Sequence, residues 1–196
     1  MSNAPDIGGD GGGNDGGTIA YVAIGANLGD RAGTMREALA MLHATDGVRV
    51  VACSSAYDTA PVGPPDQPRY LNAVAAVRTT RSPRELLGAL LEIEKALGRE
   101  RSTTRWTART IDLDLILFGE CVEGGGDSSA SESTTGALSV PHPRFRERAF
   151  VLVPLAEIAP QARDPVTGER VESLLRACPG RSDAVRSGPL CDFPLG

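Results

Sequence analysis

Between residues 18 and 118 the apolar spacing alternates between a period of two and a helical period, in the order strand, helix, strand, strand, helix, strand. That order restricts the chain to a small set of folds. It predicts an α+β, ferredoxin-like βαββαβ sandwich, with helices over one face of a mostly antiparallel sheet and a C-terminal strand/helix extension. Thr18–Ile24 reads as the first strand, closed by the turn-prone Gly25-Ala26-Asn27. Met35, Ala38, Leu39 and Leu42 then mark a helix that ends near Asp46-Gly47, and Val48–Ser54 reads as the second strand. Four prolines make the stretch from Thr59 to Pro68 a stiff loop, after which Tyr70–Arg78 resumes strand character. Ser82-Pro83-Arg84-Glu85 is a capping box with proline at the first helical position, and Leu86, Leu90, Ile93 and Leu97 carry that helix to Gly98. Ile111–Phe118 is the fourth strand; Phe150–Leu155 and Val171–Ala177 extend the domain as a strand and a helix.

The length of 196 residues suits one compact domain, placed at residues 18–178. Glycine-rich composition predicts a disordered tail over residues 1–17 and a flexible insert at about 121–137; residues 179–196 read as a C-terminal tail. There is no apolar run near the length of about 20 residues that crosses a bilayer, and no signal-peptide pattern, so the expected setting is cytoplasmic with no membrane partner. The net charge of -5 argues against nucleic acid as a partner, because such binders carry an excess of Lys and Arg. The four cysteines are too scattered for a metal cluster or a disulfide framework and are expected to be reduced thiols.

One segment breaks the acidic trend. Arg99, Arg101, Arg105 and Arg109 stand against the single Glu100 and lead directly into Asp112 and Asp114. Strand alternation puts the two aspartates on one face, with Ile111, Leu113, Leu115 and Leu117 on the other. Paired carboxylates repel unless a cation lies between them, and hard oxygen ligands suit Mg2+ shared with phosphates. Planar guanidiniums match phosphate oxygens, so the two features together point to phosphoryl chemistry. No P-loop is present. Tyr70 and Asn72 share a strand face near Thr59, offering an aromatic surface and a carboxamide to a flat heterocycle, although strand tyrosines often simply pack. Trp106 can wall a ligand or anchor a loop, and His142 heads a further polar cluster with Arg144, Arg146 and Arg148.

With these residues in view, the sequence resembles the 6-hydroxymethyl-7,8-dihydropterin pyrophosphokinase family. The segment RWTARTIDLDLILFG (Arg105 to Gly119) is similar to that family's signature, and AYVAIGANLGD, TAPVGPPDQPRYLNAV and VPHPRFRERAFVLVPLAEIAP follow its other blocks in order. The resemblance implies a kinase that moves pyrophosphate from its co-substrate ATP to the pterin hydroxymethyl group, releasing AMP in folate biosynthesis. It implies that Asp112 and Asp114 hold two Mg2+ ions and that Arg99 and Arg109 clamp the phosphates. By the same carry-over Thr59, Val62, Tyr70, Asn72, Trp106 and Phe150 bind pterin. ATP falls to Glu94, Arg101, Trp106, Arg109, Leu115, Ser139, His142 and Arg148. The partners expected are these small molecules, and the expected state is a monomer. Ala26, Ala60 and Pro143 depart from the family's usual serine, proline and tyrosine. Two other readings stand beside this one: a Mg-dependent nucleotidyltransferase that releases pyrophosphate, and a non-catalytic ferredoxin-like ligand-binding domain.

Overall fold

The computed structural model describes residues 16–61, 67–99, 109–124 and 138–191. Val62, Arg101, Arg105 and Trp106 therefore lie outside the described residues, as do most of the expected N-terminal tail and insert.

Among the described residues six strands form one antiparallel sheet: β1 (Thr18–Ala26), β2 (Val48–Cys53), β3 (Ser55–Thr59), β4 (Tyr70–Thr79), β5 (Asp112–Phe118) and β6 (Val185–Pro189). The strand order is β5-β1-β4-β3-β6, with β2 also paired to β4. The expected second strand thus flanks β4 in two pieces, and it runs past Ser54 into β3. Ser54 divides them because its hydroxyl, in place of a carbonyl, accepts the Val74 N–H at 3.0 Å.

Two helices, α1 (Arg31–His43) and α2 (Pro83–Ala96), cover the first face as expected. Met35, Ala38, Leu39 and Leu42 of α1 and Leu86, Leu90 and Ile93 of α2 pack on Val22, Ile24, Ala75, Val77, Leu113 and Leu115. Burying a large apolar side chain contributes about 1.5–3 kcal/mol, so this layer supplies much of the cohesion of the βαββαβ unit. Asp30 starts α1 by accepting the Gly33 N–H at 2.9 Å. Ser82 and Glu85 form the predicted capping box at the start of α2. Ser82→Ala is expected to lower stability by about 1 kcal/mol, read as a shift of the urea midpoint at constant slope.

The second face overturns one expectation. Phe150–Leu155 is not a strand; it lies within helix α3 (Ala149–Ile158), which packs with α4 (Val171–Ala177) over the opposite side of the sheet. Helices therefore cover both faces. The segment AFVLVPLAEI is apolar at almost every position, so a period of two cannot be distinguished from a helical one by composition. Its burial settles the matter: Val151, Leu155 and Ala159 recur at helical spacing against Val74, Ala76 and Ile116. Leu117 also joins this second core rather than the first. A β-bulge explains it, since Tyr21 pairs with Leu117 and Val22 with Leu115, leaving Ile116 as the extra residue that flips the alternation.

Residues 179–196 are not wholly a tail, because β6 pairs with β3 from Ser55↔Pro189 to Asp58↔Val185. Its sequence, VRSGP, has no apolar alternation to announce a strand. The second layer is tied down by Asp164, whose side chain has no exposed surface. Arg146 donates to it from Nε at 2.6 Å and Nη2 at 2.8 Å, and Thr167 Oγ1 and the Val166 N–H add 2.7 and 3.1 Å bonds. Among the described residues no helix is long and apolar enough to cross a membrane.

Candidate active site

The site forms where the start of β5 meets the end of β1 and the start of β4. Antiparallel register lays Asp112, Gly25, Asn72 and Tyr57 in one row across four strands, with Asp114, Ala23 and Val74 in the next. Both aspartates face the α3 side, as alternation requires, while Leu113 and Leu115 enter the first core. The Leu115 side chain, only 4% exposed, is therefore not brought to the carboxylates.

Three arginines converge on the pair. Arg109 Nη1 donates to both oxygens of Asp112 at 2.9 Å, and Arg99 Nη1 lies 2.8 Å from Asp112 Oδ1. Arg148 Nη1 is 3.7 Å from Asp114 Oδ2, and His142 Nε2 is 4.0 Å from the same oxygen. Asp114 keeps 37% of its side chain open to solvent, yet it lies deep among protein atoms. Desolvation first, and the charge of Asp112 second, push its carboxyl up to about 7. A carboxylate strained in this way gains from any cation placed beside it.

Glu94 sits behind the strand rather than in the cleft, 2% exposed. Its Oε1 accepts the Leu113 N–H at 2.7 Å, between the two aspartates, and also pairs with Arg99. Burial, ahead of the opposing pull of Arg99, raises its carboxyl above the usual range. Glu94 thus braces the outer edge of β5 and aims Arg99.

The side of the cleft expected from the sequence to take a heterocycle is assembled on β3 and β4. Asn72, 8% exposed, donates from Nδ2 to Thr59 Oγ1 at 2.8 Å, which fixes the carboxamide. Tyr70 sits close enough to the charged cluster that Arg109, Asp112 and Arg99 all act on its hydroxyl; burial is the largest influence and raises it. Between Asn72 and Asp112 stands Gly25, where an added Cβ would come within 2.8 Å of Asn72 Oδ1. The missing side chain lets the carboxamide oxygen lie close against the β1 backbone, next to the strand that carries the carboxylates. Phe150, at the start of α3, lies under the Arg148 guanidinium at 5.6 Å from its ring centroid, which brings an aromatic face to the α3 side of the same cleft.

Ser139 is half-buried beside the bridge between Glu123 and Val140, just before the cis Val140–Pro141 bond. His142 is tied to β5 by its N–H, which donates to Ile116 O at 2.9 Å. One positioning residue escaped the sequence reading. Asn27, 2% exposed, accepts the Arg109 N–H on Oδ1 at 2.7 Å while its own N–H donates to Arg109 O at 3.1 Å. Its signals in the sequence were a place in a turn tripeptide and in the block AYVAIGANLGD.

Among the described residues no three His, Cys, Asp or Glu side chains form a metal cluster. Cavities of about 380 Å³ beside Glu94 and Arg99, and about 270 Å³ among Gly17, Gly47, Arg49 and Arg78, lie respectively next to the site and at the other end of the sheet.

A family model for 7,8-dihydro-6-hydroxymethylpterin-pyrophosphokinase (HPPK) matches residues 21–160, a span that contains both aspartates, Asn72 and Phe150. The chain belongs to this family. Its relatives include the 2-amino-4-hydroxy-6-hydroxymethyldihydropteridine pyrophosphokinase of Bacillus subtilis, 44% identical over 155 residues that cover 79% of this chain and 86% of that protein. The Pseudomonas aeruginosa protein of the same name is 43% identical over 159 residues, covering 81% and 91%. Among solved structures, an HPPK-DHPS in complex with substrates superposes with a TM-score of 0.61 at 14% identity, over 82% of this chain and 43% of that one. The HPPK-DHPS of Plasmodium falciparum gives 0.63 at 14%, over 84% and 45%. At that identity the superposition speaks for the fold alone. This chain spans less than half of either two-part protein. Within the HPPK fold, the row Asp112–Gly25–Asn72 is the feature that joins an acidic strand to the Asn72–Thr59 hydrogen-bonded pair.

Proposed function

We propose that this HPPK transfers the pyrophosphoryl group of ATP to the hydroxymethyl oxygen of 6-hydroxymethyl-7,8-dihydropterin, releasing AMP, in the cleft bounded by Asp112, Asp114, Arg109 and Asn72. The observation that carries the reading is the row across the sheet. It puts a carboxylate pair beside guanidiniums at one end and a fixed carboxamide at the other, with only Gly25 between.

Asp112 and Asp114 suit Mg2+ because the ion takes hard oxygen donors, keeps several waters and completes its shell with substrate phosphates, so two carboxylates suffice. Two Mg2+ ions are expected, and when bound they neutralise phosphate charge and align the β-phosphorus. Arg99 and Arg109, which now balance Asp112, are placed to turn to phosphate oxygens once that carboxylate holds a cation. Asn27 keeps the Arg109 backbone still during that exchange. Arg148 and His142 reach Asp114 from the opposite side and can meet the nucleotide there. The pterin ring enters between Tyr70 and Phe150, while the Asn72 carboxamide, oriented by Thr59, reads its polar edge. Stacking supplies affinity and hydrogen bonds supply identity. Val62, Trp106 and Arg101 remain assigned by family likeness alone.

The test is product analysis. AMP and the pterin pyrophosphate should form only with ATP, hydroxymethyl-dihydropterin and Mg2+ together, and chelation should stop both. Release of inorganic pyrophosphate in place of AMP would select a nucleotidyltransferase; ATP affinity unchanged by Mg2+, with no product at all, would select a binding domain. Gly25→Ala probes this close approach directly. The new methyl meets Asn72 Oδ1, so pterin affinity by calorimetry should fall at least about tenfold, with ATP affinity largely kept.

A further inference from the structure

Two of the four cysteines, 138 positions apart in the chain, are neighbours across the outer edge of the sheet. The β3–β6 ladder pairs Ala56 with Gly188 and Ser55 with Pro189, and the same antiparallel register carried two residues further sets Cys53 opposite Cys191. Cys53 pairs on its other side with Ala75, a small residue of the first core. Both cysteines pack against that core, and the side chain of Cys191 hydrogen-bonds the Cys53 thiol. The stretch after β6 is anchored from both sides, with Leu190 buried at 2% and its carbonyl accepting Arg36 Nε at 3.1 Å. Directly opposed residues of antiparallel strands hold their Cβ atoms about 4.5–5.5 Å apart, close to the span a disulfide bridges. Cys121 and Cys178 lack this arrangement: Cys178 packs in the second core, and Cys121 follows β5 at the opposite edge of the sheet.

We propose that Cys53 and Cys191 are a redox modification site, a cross-strand dithiol that closes to a disulfide and staples the C-terminal strand β6 to the body of the sheet. None of the four cysteines is in a disulfide in this structure, so it describes the reduced form. The oxidant is a low-molecular-weight disulfide. The Cys191 thiolate attacks one of its sulfurs, forming a mixed disulfide and expelling one small thiolate, which takes up a proton. Cys53 then gives up its proton and attacks the Cys191 sulfur, expelling the second small thiol. Two protein thiols are oxidised and one small disulfide is reduced to two thiols. The order follows from position: Cys53 lies within the sheet, paired to β4 and with its thiol donating to Ser54 O at 3.4 Å, whereas Cys191 follows the edge strand β6 and is the first nucleophile.

The bridge has a structural consequence because β6 is an edge strand with little buried surface of its own. Four of its five residues are exposed. Its hold on the sheet comes from the β3 ladder and from Arg186, which donates to Ser55 Oγ at 2.9 Å and lies 3.6 Å from Glu157. Closing a loop of that length constrains the unfolded chain strongly.

The experiment uses the full chain incubated with oxidised glutathione, then alkylated and digested without reduction. The expected result is one linked peptide pair joining Cys53 to Cys191, with Cys121 and Cys178 alkylated, and a melting temperature about 5–10 °C above the reduced protein, reversed by dithiothreitol. Cys53→Ser should keep a stable glutathione adduct on Cys191, and Cys191→Ser should give no bridge and no thermal shift. Alkylation of both Cys53 and Cys191 in the oxidised wild type, bridging to another cysteine, or a bridged protein that melts no higher than the reduced one would each overturn the proposal.

Discussion

Asp114→Asn is expected to lower kcat by about a thousandfold or more while pterin affinity stays within a few fold of wild type. Only the phosphates need the cation, and the loss of several kcal/mol of charge stabilisation corresponds to that factor. The same substitution should not weaken the fold. An acid whose folded carboxyl titrates above its unfolded value binds more protons when folded, so its contribution falls as pH rises through the window from about 4 to about 7. Removing the charge removes that penalty, and the variant without substrates should melt at or slightly above the wild-type temperature at neutral pH. Asp112→Ala should be equally inactive but differ in cause, because it also frees Arg99 and Arg109 from their shared partner. Turnover near wild type in either variant would dismiss the carboxylate pair as the phosphate-metal site.

Asp164→Ala is expected to cost about 3–5 kcal/mol of stability, the largest single effect outside the cleft. The carboxylate is fully buried and holds four donors at once, so its removal strands Arg146, Thr167 and the Val166 N–H together. Burial by itself would raise this carboxyl; the hydrogen bonds, led by those from Arg146 and Thr167, hold it below the usual range. The sign is therefore opposite to that of Asp114. The stabilisation is fully present above the unfolded value of about 3.9 and is lost as pH falls through the lower folded value. A urea series from pH 7 down to pH 3 should show the wild type losing this component at the acid end, while Asp164→Asn starts low and lacks it. Because Arg146 lies two residues from Arg148, ATP affinity in the variant should fall as well, even at temperatures where it stays folded.

Much of the architecture is legible in the sequence. The β-α-β-β-α-β order, the capping box at Ser82, the core faces of α1 and α2 and the shared face of Asp112 and Asp114 all follow from local periodicity, and each is present. Local rules failed where a contact distant in the chain decided the outcome. The uniformly apolar AFVLVPLAEI became a helix because the second face of the sheet needed a cover. The bulge at Ile116 moved Leu117 to that face, and VRSGP became a strand because the edge of β3 accepted it.

The site divides along the same line. Residue types and spacing in the chain determined the chemistry on offer: paired acids, a run of arginines, a tyrosine and an asparagine two apart. Only tertiary structure decided which of them meet. Strand register, a sum of pairings across four chain segments, brought Asn72 to within one glycine of Asp112, tucked Glu94 behind β5 and turned the Leu115 side chain into the core. It also gave Asn27 its grip on Arg109 and set Cys53 beside Cys191. Side-chain alternation is a property of neighbouring residues and can be read along the chain; register is a property of the closed sheet, so it exists only once the sheet has formed.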